Sequence, residues 1–585
     1  MRKLKLHLIS FNIYPFKNNA LYIIAESLRK TNMFKCFIKE FDFYENSQKN
    51  FSMDSYLEIY QYIKENKPEI IGLSEHIWTK NIVDTAINLI KKENPNSIIF
   101  LGGPSFKSRK YTKERVEQNK NIDYIVRSDG EFVVPELLKA IKDGKNIYSV
   151  PNIAFRNDGE VFFSEKEHDK NILKPLINKE LLNNRVYLME TYRGCNQKCK
   201  YCVWSATTRK LKSLKDIKKE LKAIIDSRVN HCFFSDPHFG YSKFISGEIL
   251  DFISKNNIST KFGGFINIDY IDDDYCKLLK DSNFNVANIG IQTLSKKSKN
   301  KSRRKTSLYK IKNKIEKLEE HGIDYRSLDV IYGLPGDDFE SFKETVDIVY
   351  KIGKQRLFIH PLMVLPGSEF YENPEDYGLK FVQEPPWNVL ESNSYSFEDI
   401  VKSKKLFIGQ EIIARMFPIT FDFIINQINV KPSDYMFNLG NGLIIDNILS
   451  LDVDLFDWFR KIKGYDDGFR KKILKFMTKK INIFEKKRWY KKLKEILIYE
   501  SFNYPLYYYN IRFNKNNYSF INERTTLSSK YFSKDMLNFV ENYNFHYPVH
   551  TVKNYKELLS KKKVNYAIDM KRELAKRNFE TPIKT

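Results

Sequence analysis

Arg193-Gly-Cys-Asn-Gln-Lys-Cys-Lys-Tyr-Cys-Val-Trp204 sets Cys195, Cys199 and Cys202 within eight positions, in the spacing C-x3-C-x2-C with Tyr201 directly before the last cysteine. Three thiolates this close suit three irons of a [4Fe–4S] cluster and leave the fourth iron without a protein ligand. Catalytic metal sites keep such a position open for substrate or cofactor. Zinc is the rival reading, but a structural zinc site needs a fourth ligand nearby. The next cysteine, Cys232, lies thirty residues on, flanked only loosely by His231 and His238. Ordinary core cysteines explain the string poorly, because the whole chain has six and three of them crowd together here.

Outward from this string the pattern is regular. Val186-Tyr-Leu-Met-Glu-Thr191 reads as a short strand that delivers the cysteines on the loop after it, and a basic amphipathic helix follows over Ser213 to Ser227. Further strands are expected at His231–Asp236, Lys261–Asn267, Val286–Thr293, Leu328–Tyr332 and Leu357–Val364, which makes six in alternation with helices. In barrels of this kind the chemistry sits at the carboxyl ends of the strands. Those ends offer Ser235, Asp236, Asn267, Gln292 and the turn Gly333-Leu-Pro-Gly336.

In this setting the cysteine string resembles the signature of the radical S-adenosylmethionine (radical SAM) superfamily. The resemblance implies a partial (βα)6 barrel over residues 183–400 and an open iron that chelates the amino and carboxylate groups of SAM. It also implies one-electron cleavage of SAM to a 5′-deoxyadenosyl radical that abstracts hydrogen from substrate, fed by an electron donor such as flavodoxin or ferredoxin. By the same resemblance the Tyr201 backbone meets the SAM adenine, Ser235 and Asp236 meet its amino group, and Gln292 approaches its ribose or methionine part. Arg303-Arg-Lys-Thr306 matches a common family feature after the fourth strand and reads equally well as a solvated basic loop. Val364-Leu-Pro-Gly-Ser-Glu-Phe-Tyr371, Glu375-Asp-Tyr-Gly-Leu379, Glu384-Pro-Pro-Trp-Asn-Val-Leu390 and Ser394-Tyr-Ser-Phe-Glu-Asp399 resemble a subgroup whose C-terminal region has no assigned function. Ser235-Asp-Pro-His-Phe239 departs from that subgroup's Asp-Arg-Thr-Phe-Asn.

Residues 1–150 alternate strand and helix: Leu4–Phe11, Asn19–Arg29, Tyr56–Glu65, Glu69–Ser74, Thr79–Asn94, Ser97–Pro104, Ile122–Val126 and Val133–Ile141. This order predicts a doubly wound parallel sheet with ligands at the carboxyl ends of its strands. Directly upstream of a radical SAM barrel, the segment resembles the cobalamin-binding domain of cobalamin-dependent radical SAM enzymes. The resemblance assigns Ser74, Gly102, Gly103, Pro104, Gly130 and Glu131 to the corrin and its nucleotide tail. No D-x-H-x-x-G follows the first strand, where Phe11-Asn-Ile-Tyr-Pro-Phe16 stands, so cobalamin is expected without a protein histidine below the cobalt; His76, after a different strand, is not assigned as a ligand. The alternative is that this fold serves as a substrate or dimer module. Residues 151–182 are expected as a linker.

Residues 401–585 read as a mainly helical domain that covers the barrel mouth, with helices at Phe469–Lys487 and Trp489–Tyr499 and strands at Tyr504–Tyr509 and Ile511–Ile521. They lack any C-x2-C for a further cluster. The net charge of +25 invites a nucleic-acid reading, but lysine is spread over nearly every segment, which fits a solvated basic surface better. No run of about eighteen apolar residues suggests a membrane span, no signal peptide is expected at the start, and few unpaired cysteines point to the cytoplasm. The combined reading is a cobalamin-dependent radical SAM enzyme that methylates an unactivated carbon of a small molecule or peptide by way of methylcobalamin. A radical SAM cyclase or rearrangement enzyme is the alternative, and a non-catalytic zinc- or nucleic-acid-binding protein the remote one.

Overall fold

The computed structural model describes residues 4–13, 16–29, 34–43, 53–164, 166, 172–207, 209–256, 259–305, 307–353, 356–451, 467–494 and 496–497. Two compact units form. One comprises the chain to Tyr325 with Ile331–Phe342 and Pro361–Ile400; the other comprises Arg326–Val330, Lys343–His360 and the chain from Val401.

The first sheet of the larger unit is built from β1 (Leu4–Ile13), β2 (Phe34–Phe43), β3 (Ile70–Ser74), β4 (Ile98–Gly102), β5 (Tyr124–Val126), β6 (Ile153–Asn157) and β7 (Glu160–Phe163), in the order β2-β1-β3-β4-β5-β6-β7. Its first five strands are parallel, with Leu6 opposite Ile70 and Ile70 opposite Ile98. Near-continuous apolar runs such as Ile70-Ile-Gly-Leu73 are what a sheet covered on both faces requires. The helices α1 (Asn19–Arg29), α2 (Met53–Asn66), α3 (Lys80–Glu93), α4 (Arg109–Gln118) and α5 (Gly130–Asp143) connect them. The order 2-1-3-4-5 makes β1 and β3 the point where the winding reverses, the usual ligand crevice of such sheets.

Two features differ from expectation. Phe34–Phe43 is an additional edge strand, in register with β1 from Leu4 opposite Phe34. The segment 151–182 is not a plain linker: β6 and β7 add an antiparallel hairpin to the sheet. Its turn is Asp158-Gly159, both residues at positive φ, and an Asp-Gly pair between apolar stretches is a strong local hairpin signal.

The second sheet contains β8 (Val186–Met189), β9 (His231–Phe234), β10 (Lys261–Gly264), β11 (Phe284–Gln292), β12 (Tyr325–Tyr332) and β13 (Leu357–Pro361), adjacent in sequence order as successive βα units require. This is the six-stranded α/β barrel expected. The helix after the cysteines, α6 (Leu214–Asp226), is capped by Ser213, whose Oγ accepts from the Asp216 N–H at 3.1 Å. It buries Ile217, Leu221 and Ile224 at helical spacing.

The smaller unit is helical from Val401 onward among the described residues, with helices ending at Met416 and spanning Pro418–Ile428, Pro432–Ile445 and Asp467–Ile481. Two of these backbones touch where both residues are glycine: a Cβ on Gly440 would lie 1.8 Å from the Lys405 carbonyl oxygen, and one on Gly409 1.9 Å from that of Met436. The strands expected at Tyr504–Tyr509 and Ile511–Ile521 and the end of the helix expected at Trp489–Tyr499 lie outside the described residues. Among the described residues no helix is long and apolar enough to cross a membrane.

Candidate active site

The cysteine loop leaves β8 through Glu190 and Thr191, runs along a short strand, Tyr192–Arg193, paired with Lys210–Lys212, and closes on itself. Gly194 has φ +82°, and a Cβ there would sit 2.6 Å from the Thr207 carbonyl oxygen, so glycine alone fits before Cys195. The Cys195 N–H donates to the Trp204 carbonyl at 3.2 Å, the Cys202 N–H to the Cys199 carbonyl at 3.1 Å, and the Ser205 hydroxyl to the Cys202 carbonyl at 2.6 Å. Donors also point at sulfur: the Gln197 N–H at Cys195 Sγ, 3.5 Å, and Arg304 Nη1 at Cys199 Sγ, 3.9 Å. Arg304 is anchored at its other end on the Gly290 carbonyl of β11.

As free thiols Cys195 and Cys202 resist ionisation, since burial pushes Cys202 up to about 11 and raises Cys195. A cluster held by them would displace those protons, as thiolate metal sites do. An all-thiol set with N–H donors and a guanidinium beside it suits an anionic iron–sulfur cluster. Tyr201 lies within the same group, its phenol hydrogen-bonded to Cys199 and its pKa driven upward by burial.

At the strand ends, Asp236 is buried and its carboxylate is fully engaged. It accepts from the Thr191 N–H at 2.7 Å, the Thr191 hydroxyl at 2.5 Å and the Gly240 N–H at 3.2 Å. It thereby fixes the backbone that enters the cysteine loop. Ser235 donates from N and Oγ to the Met189 carbonyl. Asn267 caps a short turn through the Asp269 N–H. Two buried polar atoms, Gln292 Oε1 and His238 Nδ1, have no hydrogen-bond partner, the kind of atom a bound polar ligand satisfies. Gln292 adopts φ +70°, and burial with the Arg304 cation holds the His238 pKa down to about 4, so its imidazole is neutral.

At the carboxyl ends of the first sheet, Ser74 pairs in register with Gly102, and its hydroxyl accepts from Asn18 Nδ2 at 2.9 Å. A Cβ on Gly102 would meet nothing within 4 Å, whereas one on Gly103 would lie 2.0 Å from the Glu75 carbonyl oxygen. The turn into Pro104 is thus an open cradle with a rigid back. Glu75 supports it from below, bonded to Tyr111 and to the buried Arg115 at 2.7 Å. His76, held neutral by burial with its pKa near 4, stacks on the exposed indole of Trp78 at 5.0 Å. The carboxyl ends of β3 and β4 thus set the Ser74 hydroxyl beside an uncrowded Gly102.

Gly130 and Glu131 stand at the start of α5, and Glu131 is engaged elsewhere than in the crevice. Arg193, two residues before Cys195, binds Glu131 at 2.6 Å, Asp129 at 3.0 Å and Glu190 at 2.7 Å; Lys210, after the cysteines, also binds Asp129. Burial notwithstanding, Arg193 and Lys210 hold the Asp129 carboxyl down to about 2. Lys107 completes the junction with a 2.6 Å bond to Thr207. The sequence reading singled out neither Arg193 nor Lys210. Their only signal was their position, one basic residue on each side of the cysteine loop.

A six-stranded βα barrel with three cysteines after its first strand, preceded by a sheet of order 2-1-3-4-5 whose last connecting helix is clamped to that loop, resembles the construction of radical SAM enzymes. Comparison agrees: residues 189–349 match the family model of the Radical SAM superfamily. An uncharacterized protein of Methanocaldococcus jannaschii is 23% identical over 56% of this chain and 72% of its own length. The tRNA-2-methylthio-N(6)-dimethylallyladenosine synthase of a Sulfurihydrogenibium species is 22% identical over 49% of this chain, and the match spans 64% of that enzyme, less than two thirds of it. Among solved structures, the radical SAM methyltransferase TsrM of Kitasatospora setae, with cobalamin and a [4Fe–4S] cluster bound, superposes with a TM-score of 0.55 at 15% identity, over 65% of this chain and 81% of that one. The cobalamin-dependent SAM radical enzyme OxsB, with aqua-cobalamin and SAM bound, gives 0.54 at 14% identity, over 93% of this chain and 84% of that one. The fold of this chain is the one it shares with these two structures.

Proposed function

We propose that this chain is a cobalamin-dependent radical SAM methyltransferase of the cytoplasm that transfers methyl to an unactivated carbon of a small molecule or peptide. The observation that carries the reading is the direct clamping of the glycine-lined first sheet onto a three-thiol loop with an Arg304 donor at its sulfur. When bound, the cluster with SAM supplies one-electron chemistry and cobalamin supplies a transferable methyl group.

The chain's own residues bind and orient. Cys195, Cys199 and Cys202 hold the cluster, and Arg304 balances its charge and donates to Cys199. Asp236 positions Thr191 and Tyr192 ahead of the loop. Gln292 Oε1, His238 Nδ1, Ser235 and the Tyr201 backbone are the polar groups offered to SAM. Ser74, Gly102, Gly103 and Pro104 form the cobalamin cradle, while Gly130 opens α5 at its rim and Glu131 there holds Arg193. Methylthio transfer, the chemistry in the name of the tRNA-modifying relative, is disfavoured: residues 1–150 contain only Cys36 and cannot supply three thiols for a second cluster.

Anaerobic reconstitution with iron, sulfide and hydroxocobalamin tests this. Four irons and one cobalamin per chain are expected after desalting, with iron lost in Cys199→Ala and cobalamin, but not iron, lost in Gly103→Trp. Iron without cobalamin would remove methyl transfer in favour of ring closure or rearrangement, and zinc in place of iron would remove the radical SAM reading altogether.

A further inference from the structure

The segment after the fourth barrel strand presents a dense cationic face beside the cysteines. Seven of the ten residues 296–305 are Lys or Arg and none is acidic. Lys296–Ser302 is a short helix that buries Ser298 and Ser302 and exposes Lys296, Lys297 and Lys301; Arg303 and Lys305 continue the exposed face. This helix ends on the cysteine loop, where the Lys200 N–H donates to the Ser302 carbonyl at 3.1 Å. Lys198, exposed at φ +55° between Cys195 and Cys199, extends the same charge onto the loop itself. The acid that approaches from outside, Glu369, is shared by Lys200 at 2.8 Å and Arg303 at 3.5 Å. Among the described residues no carboxylate pairs with Lys296, Lys297, Lys301 or Lys305.

We propose that this lysine face is the docking surface for an acidic one-electron carrier protein that reduces the cluster. The inference builds on the radical SAM reading of the loop, which requires electrons from outside the chain. Electron transfer weakens steeply with distance, so a donor must approach the cysteine loop, and this face is continuous with it. Unpaired lysines steer an acidic partner and raise its association rate by about 10- to 1,000-fold at low salt. A single-stranded nucleic acid is the other polyanion to consider, but such ligands are gripped by aromatic stacking platforms, and the helix Lys296–Ser302 has no aromatic side chain. The step moves one electron: the reduced carrier is oxidised, the cluster is reduced, and no bond forms or breaks.

The test follows cluster bleaching in the full reconstituted chain, mixed anaerobically with flavodoxin hydroquinone or with dithionite. The triple variant Lys297→Glu, Lys301→Glu, Lys305→Glu is compared with a control triple on the first domain, Lys113→Glu, Lys120→Glu, Lys139→Glu, which changes net charge equally. We expect the flavodoxin rate of the first triple to fall at least about tenfold at low salt and to lose its salt dependence, with iron content and the dithionite rate unchanged and the control close to wild type. A flavodoxin rate that is unchanged, or equally reduced in both triples, overturns the proposal. So does loss of salt-sensitive tRNA binding in the first triple while its flavodoxin rate holds. Failure of the wild-type chain to take up iron would instead refute the radical SAM reading on which the proposal depends.

Discussion

Asp236 shows how a single buried group can organise the backbone that enters a site. Its carboxyl is pushed up to about 7 by burial, against the hydrogen bonds from Thr191 and Gly240 that pull the other way. The folded chain therefore holds a proton that the unfolded chain, with an ordinary value near 3.8, releases. The stability that Asp236 contributes is full below about pH 4 and drains away as pH rises through about 7. Asp236→Asn abolishes that slope and turns an amide NH2 toward a donor, which costs about 1–3 kcal/mol. Thermal melts of the iron-free chain at about pH 5 and about pH 8 should place the variant well below wild type at the lower pH, with the gap narrowing at the higher. Equal melts at both would show that Asp236 does not hold the loop. His238 behaves oppositely: burial and Arg304 depress its pKa to about 4, so acidification through the range below about 6.5 works against the folded state.

At the scale of elements, the start of α5 and the cysteine loop share one ion network, and its members are unequal. Arg193→Met leaves Glu131, Asp129 and Glu190 facing one another with their common cation gone, and removing one partner of a nearly buried pair costs about 3–5 kcal/mol. Glu131→Gln keeps Arg193 paired with Asp129 and Glu190 and should cost about 1 kcal/mol. Denaturant melts and iron counts on both variants measure this: the arginine variant should lose stability and most of its iron, the glutamine variant little of either. An arginine variant that retains both would reduce the clamp to ornament. This network also marks where sequence reading stops. Apolar runs such as Ile70–Leu73 and the repeating buried face of α6 announce their elements locally, so the strand–helix order, the six barrel strands and the cysteine loop were all legible. The Glu131–Arg193 bond joins residues 62 apart, and an isolated Glu or Arg carries no periodicity to reveal its partner. The β6–β7 hairpin was readable from Asp158-Gly159, whereas in β2 the lysines interleaved among its apolar residues break a clean strand period.

Taken whole, the molecule has a strong excess of positive charge, +25 over 585 residues, and repels itself. Screening shortens the reach of that repulsion from about 30 Å at 0.01 M salt to about 8 Å at physiological strength. Moderate salt should therefore raise the melting temperature of the iron-free chain, and a fall in its place would mean that attractive surface pairs outweigh the net charge. Charge at this scale is diffuse, yet at the junction between the start of α5 and the cysteine loop it is addressed residue to residue. Asp129 and Glu131 on one side answer Lys210 and Arg193 on the other. In the language of module exchange, the first domain is not a free cassette. A chimaera that grafts a foreign sheet onto this barrel must import an acidic pair at the head of its last connecting helix, or leave two cations stranded beside the cysteines they were built to steady.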